Sequence, residues 1–122
     1  MKILVVEDEP ASLKLAHLVL ASEGFEVAEA AAAHKVMEEA LRSMPEAILL
    51  DLELPGINGL KLARELKRDP RTRHIPIVAV TAFPERYPRA SAVAAGCDDY
   101  ILKPISTRAL PKQMADAAAK AK

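Results

Sequence analysis

The sequence predicts a doubly wound α/β fold built on a five-stranded parallel sheet. Three observations predict it. Short continuous apolar runs alternate with segments of helical periodicity throughout the chain. The runs end in chemically distinctive residues: Glu7-Asp8, Asp51, Thr81 and Lys103-Pro104. The length, 122 residues, suits one compact domain over 1–122 and is too short for two.

Ile3-Leu4-Val5-Val6 is an apolar run of the kind expected of a strand buried on both faces, and it ends in Glu7-Asp8. Pro10 suits the first turn of a helix, where its missing N–H costs little. Leu13, Ala16, Val19 and Leu20 form that helix's apolar stripe, and Gly24 is its expected stop. Residues Phe25 to Ala30 partly alternate apolar and polar, which predicts a half-exposed edge strand. Ala33 to Arg42 reads as a second helix, with Pro45 soon after. Ala47 to Asp51 is the third strand. Asn58 is placed to cap a third helix from Gly59 to about Lys67, with Leu60, Ala63 and Leu66 inward. Ile77 to Thr81 is the fourth strand, and Tyr100-Ile101-Leu102 the fifth.

Two helices depart from regular chemistry. Pro84 and Pro88 predict a fourth helix that starts late, with Pro88 near its first turn. Pro111 predicts a tight turn from Ser106, with Ser106 or Thr107 as cap, and regular helix only from about Leu110. Alternating strands and helices imply right-handed crossovers. Five strands fit a flavodoxin-like (βα)5 order of 2-1-3-4-5 or half of a larger sheet. The length favours the former, and that order also puts the second strand at an edge.

Composition narrows the function. Hydrophobic residues make up 51% of the chain, which argues against disorder. Seventeen basic and 17 acidic residues balance, so a basic nucleic-acid-binding surface is not expected. No run approaches the roughly 20 apolar residues of a membrane span. No signal peptide precedes the first strand, and Cys97 is the single cysteine, so the expected setting is cytoplasmic. Cys97 reads as a packing residue, since no histidine is placed to activate it. His17, His34 and His74 are scattered and read as surface residues rather than ligands.

In a 2-1-3-4-5 order, strands one and three are neighbours. Glu7, Asp8 and Asp51 then crowd one rim of the sheet, where open α/β folds bind ligands. Carboxylates so close repel one another unless a cation shares the site. Mg²⁺ suits such hard oxygens, and a zinc-type Cys/His cluster is lacking. Thr81 adds a hydroxyl, Ala82 leaves room beside it, and Lys103 adds an ammonium. Pro104 gives the loop after Lys103 a defined path, with the ordinary trans bond as the default.

The ordered set of motifs, Val5-Val6-Glu7-Asp8, Asp51-x-x-x-Pro55-x-x-Asn58-Gly59, Val80-Thr81-Ala82 and Tyr100-Ile101-Leu102-Lys103-Pro104, resembles the receiver domain of two-component response regulators. The resemblance covers essentially the whole chain, and is strongest to single-domain regulators of cell-cycle or phosphorelay type. It implies that Asp51 is the phosphoacceptor, taking a phosphoryl group from a histidine kinase or a histidine phosphotransfer protein. It implies Mg²⁺ held by Asp8, Asp51 and the Glu53 backbone carbonyl, with Glu7 acting through water. Thr81 and Lys103 would contact the phosphoryl oxygens. Thr81 and Tyr100 would form the switch, and helix four, strand five and helix five the face read by a downstream protein. Glu7 stands where the family often has Asp, and Asn58 where it often has Asp before the glycine.

The implied module is phosphorylated and loses its own acyl phosphate, but is not a dedicated enzyme. Glu53 and Phe83 flank the pocket and are expected to influence water access. An Asp-nucleophile phosphohydrolase is the enzyme alternative; it wants a second Asp two residues on, where Glu53 stands. A flavin carrier would need a Ser/Thr/Gly-rich loop where Glu7-Asp8-Glu9-Pro10 is acidic. No output domain is expected after the last helix; Met1 favours a stand-alone receiver, and a receiver fragment of a hybrid histidine kinase is the alternative.

Overall fold

The computed structural model describes residues 1–120; the last two residues of the expected 1–122 domain, and of its Ala-rich end, lie outside the described residues. The strands are β1 (Lys2–Val6), β2 (Glu26–Ala30), β3 (Ala47–Asp51), β4 (Ile77–Thr81) and β5 (Asp99–Leu102). The helices are α1 (Pro10–Ser22), α2 (Val36–Ser43), α3 (Gly59–Arg68), α4 (Arg89–Ala94) and α5 (Leu110–Ala119), with a 3₁₀ turn at Ala33–Lys35 before α2. One parallel sheet runs in the order β2-β1-β3-β4-β5. This is the expected flavodoxin-like doubly wound α/β fold.

The continuous apolar runs are explained by two cores, one on each face of the sheet. Leu4, Val6, Ile48, Leu50, Ile77 and Ala79 face α2, α3 and α4, where Val36, Ala40, Leu60, Ala63, Leu66 and Ala92 complete the layer. Ile3, Val5, Leu49, Val78, Val80 and Ile101 face α1 and α5, against Ala16, Leu20, Leu110 and Met114. Alternate residues of each strand thus enter opposite cores, and the central strands are apolar up to their C-terminal ends. β2 is the exception, with Glu26 and Glu29 exposed at the sheet edge.

Local chemistry places the helices. Glu9 caps α1, accepting the N–H groups of Ala11 at 3.2 Å and Ser12 at 2.6 Å. α1 stops at Ser22, and Gly24 follows with φ of 88°, a conformation that favours glycine. Asn58 caps α3 through Leu60 N–H at 2.8 Å. α4 does start late, with Pro88 as its N-cap residue. Pro111 falls in the first turn of α5, where it breaks no helical hydrogen bond. Ser106 caps the preceding turn, through Ala109 N–H at 3.1 Å, rather than α5 itself.

Gly59 positions the loop that carries the chemistry. A Cβ there would lie 2.5 Å from the Leu52 Cα and 2.7 Å from its carbonyl oxygen. Only glycine lets α3 begin this close to the chain leaving β3, and Gly59 N–H donates to the Leu52 carbonyl at 3.2 Å.

Candidate functional site

The C-terminal ends of β1, β3, β4 and β5 converge on one rim, as parallel strands must. β1 delivers Glu7 and Asp8, β3 delivers Asp51, β4 delivers Thr81, and β5 delivers Lys103. Asp51 is buried at 4% exposure and Glu7 at 6%, whereas Asp8 is exposed. One carboxylate oxygen from each of Glu7, Asp8 and Asp51 lies within 4.8 Å of the others. Three oxygens so placed, two of them buried, form a hard-oxygen donor set that fits a small divalent cation.

Electrostatics agrees with that fit. Burial pushes the Glu7 carboxyl up to about 7, and its hydrogen bond and charge relation with Asp51 add to the rise. The Glu9 N–H, donating to Glu7 Oε2 at 3.2 Å, offsets part of it. A cation in the cluster would relieve the repulsion.

Lys103, just past the end of β5, reaches three carboxylates of the rim. Its Nζ is 3.1 Å from Asp51 Oδ2, 3.7 Å from Glu53 Oε1 and 3.9 Å from Glu7 Oε1. Burial pulls this ammonium down, but Asp51, Glu7 and Glu53 outweigh burial and raise it. The Lys103–Pro104 bond is cis, not the default trans. Asp51 Oδ1 accepts the Glu53 N–H at 2.9 Å, so both Asp51 oxygens are held by this chain. Thr81 is fully buried and its Oγ1 accepts the Phe83 N–H at 2.9 Å. Phe83 itself is 46% exposed beside the site.

Tyr100 is more buried than a half-exposed strand residue, at 9% exposure. Its hydroxyl donates to the Tyr87 carbonyl, and the Arg89 guanidinium sits 5.1 Å from its ring centroid. Sequence reasoning assigned neither Tyr87 nor Arg89 a role, because the first contact uses a main-chain carbonyl and the second spans two elements. Glu53 was expected to act through its backbone carbonyl and as a flank of the pocket. Its side chain also accepts the Ala82 N–H at 2.9 Å. A backbone donor leaves no signal in the residue type.

The residues set aside remain apart from the rim. His17 Nδ1 lies 2.6 Å from Glu29 Oε2, while His34 and His74 are exposed. Cys97 is buried, and burial pushes its thiol up to about 11, far from a reactive thiolate. Among the described residues, no helix is long and apolar enough to cross a membrane.

Known proteins share both the sequence and the architecture. The description "Response regulator receiver domain" matches residues 3–115. The response regulator PleD of Caulobacter vibrioides is 40% identical over 104 residues, 85% of this chain, which spans only 23% of PleD. The polar-differentiation response regulator DivK of Brucella ovis is 35% identical over 104 residues, covering 85% of each protein. The solved receiver domain of the sensor histidine kinase PA1611 from Pseudomonas aeruginosa PAO1 superposes with a TM-score of 0.86 at 30% identity, covering 97% of both chains. That domain carries a magnesium ion in its active-site cleft. Five strands in 2-1-3-4-5 order, a three-carboxylate rim and matches across nearly the full length agree, and the chain belongs to the receiver domain family of two-component response regulators.

Proposed function

We propose that residues 1–122 act as one receiver domain in which Asp51 accepts a phosphoryl group from a histidine kinase or histidine phosphotransfer protein. The observation that carries this reading is the setting of Asp51, buried beside Glu7 and Asp8 with Lys103 Nζ 3.1 Å from its Oδ2. A carboxylate so flanked has a cation site and a fixed ammonium ready for an anion bonded to it.

The donor approaches over a groove of about 400 Å³ lined by Glu7, Leu15, Ala82, Lys103 and Ile105. A carboxylate oxygen of Asp51 attacks phosphorus in line, the phosphorus–nitrogen bond breaks, and the electron pair returns to the leaving imidazole. Negative charge spreads over the equatorial oxygens, and Lys103 and the Thr81 hydroxyl would meet it. Asp8, Asp51 and the Glu53 backbone carbonyl would hold Mg²⁺, with Glu7 acting through water, in line with the magnesium in the PA1611 cleft. When bound, Mg²⁺ would supply a hard positive charge to the phosphoryl oxygens. The product acyl phosphate is open to water, so the mark erases itself, and Glu53 and Phe83 at the pocket rim govern that access.

The output is a binding event rather than catalysis on a substrate. A phosphoryl oxygen draws on the Thr81 hydroxyl, and the change passes to Tyr100 and to the face formed by α4, β5 and α5. Val93 and Leu102 are exposed there at 60% and 50%, as suits a protein partner in the cytoplasm. The test mixes the protein with Mg²⁺ and beryllofluoride, a phosphoryl mimic, and follows backbone amide resonances. Shifts around Asp51 and Thr81 are expected, and Asp51→Ala is expected to abolish them. Shifts that survive Asp51→Ala would overturn the assignment.

A further inference from the structure

We propose that the Glu53 side chain occupies the anion subsite beside Asp51, as a built-in competitor that an incoming phosphoryl group must displace. This rests on the reading of Asp51 as phosphoacceptor. Glu53 Oε1 accepts the Ala82 N–H at 2.9 Å and lies 3.7 Å from Lys103 Nζ. The same ammonium lies 3.1 Å from Asp51 Oδ2. An ammonium and a backbone N–H near Asp51 are the donors that an anion bonded to Asp51 needs. The Glu53 carboxylate already takes the N–H and lies within ion-pair distance of the ammonium.

The local chain explains how it reaches them. Glu53 N–H donates to Asp51 Oδ1 at 2.9 Å, which fixes the backbone two residues after the acceptor. From there the side chain spans to the start of the β4–α4 loop. An aspartate would be one methylene shorter. The occupancy is incomplete: Glu53 Oε2 is buried and has no hydrogen-bond partner among the described residues. One oxygen is held and the other is stranded, so the contact is poised to be lost.

The geometry also gives the displaced carboxylate a destination. Glu53 lines a cleft of about 440 Å³ that Arg86 and Tyr87 also line. Arg86 is exposed, and among the described residues it forms no ion pair. A phosphoryl group of about −2 charge on Asp51 would repel Glu53 from Lys103 and Ala82. In the cleft, Arg86 offers the counter-charge. The exchange would free the β4–α4 loop at Ala82 and engage it at Arg86, next to the Tyr87 carbonyl that receives the Tyr100 hydroxyl.

The test titrates beryllofluoride into the full chain at saturating Mg²⁺ by calorimetry, with the amide spectrum recorded alongside. Glu53→Gln keeps the length and removes the charge; Glu53→Ala removes the arm. Both are expected to tighten beryllofluoride binding about tenfold, the worth of one lost charge-assisted contact. Glu53→Ala is also expected to shift the Ala82 amide in the protein without beryllofluoride, as its acceptor goes. Arg86→Ala is expected to weaken beryllofluoride binding in the native background and to do nothing in the Glu53→Ala background. Unchanged or weaker binding in both Glu53 variants, while Asp51→Ala still abolishes the response, overturns the competitor and leaves the phosphoacceptor standing. Absence of any beryllofluoride response overturns both. Equal Arg86→Ala effects in the two backgrounds overturn Arg86 as the receiving cation.

Discussion

At Glu7, burial and a neighbouring carboxylate act in the same direction. The carboxyl rises to about 7 in the fold, against an ordinary value of 4.5. Between those values the folded protein binds more protons than the unfolded chain, so stability falls as pH rises. Below 4.5 both states are protonated, and above about 7 both are ionised, so the loss is confined to that window. Its full size is at most about 3 kcal/mol. In a chelator, the denaturation midpoint is therefore expected to drop between about pH 4.5 and 7, and Glu7→Gln to flatten the drop. The same argument makes Mg²⁺ affinity rise with pH through about 7, because the cation competes with the Glu7 proton. A midpoint that climbs over this range in the native chain would refute the burial argument.

At the scale of elements, the site depends on how tightly α3 is drawn against the end of β3. The loop between them carries Glu53, and Gly59 closes it against the Leu52 backbone. Gly59→Ala places a carbon 2.5 Å from the Leu52 Cα, and backbone cannot swing aside as a side-chain tip can. The expected cost is about 1–3 kcal/mol in urea unfolding. Calorimetry of the same variant is expected to show weaker beryllofluoride binding, since the loop must move outward. A Gly59→Ala chain as stable as the native one would mean the loop relaxes freely. α4 presents the opposite case. It has six residues and no side-chain cap, and Pro84 and Pro88 hold the segment before it out of helix. Its anchors are the buried Ala92 and the contacts of Arg89 with Tyr100.

For the molecule as a whole, the proposed switch needs a path from the rim to a face one strand away. Thr81 and Tyr100 lie on adjacent paired strands, and Tyr100 ties β5 to the Tyr87 carbonyl just before α4. Arg89, the first residue of α4, lies 5.1 Å from the Tyr100 ring centroid and donates to its carbonyl at 3.3 Å. One aromatic side chain therefore links the site strand, the β4–α4 loop and the start of α4. In the native chain, beryllofluoride is expected to shift amides at Thr81 and also at Val93 and Leu102. Tyr100→Ala is expected to keep the first shift and lose the other two. Shifts at Val93 and Leu102 that persist in Tyr100→Ala would show that the signal bypasses the ring.

By itself, the sequence determined the strands and the alternation of strand and helix, narrowed the strand order, and named the residues at the strand ends; the 3₁₀ turn at Ala33–Lys35, where a helix is expected from Ala33, it did not show. Continuous apolar runs such as Ile77 to Val80 are dictated by burial on both faces, and parallel strands must end on the same side. Glu7, Asp8, Asp51, Thr81 and Lys103 were therefore legible as one constellation from their strand-end positions. The late start of α4 and the harmless Pro111 followed from proline's fixed φ and missing N–H. Only the tertiary structure decided which donors and acceptors the rim residues use. Glu53 meets the Ala82 N–H across the loop, and Tyr100 meets the Tyr87 carbonyl. Both partners are backbone groups, identical in every residue type except for proline's missing N–H, so residue identity carries no record of them. Their pairing is fixed by how closely two loops pass in space, and the packing of α3 and α4 on the sheet sets that distance.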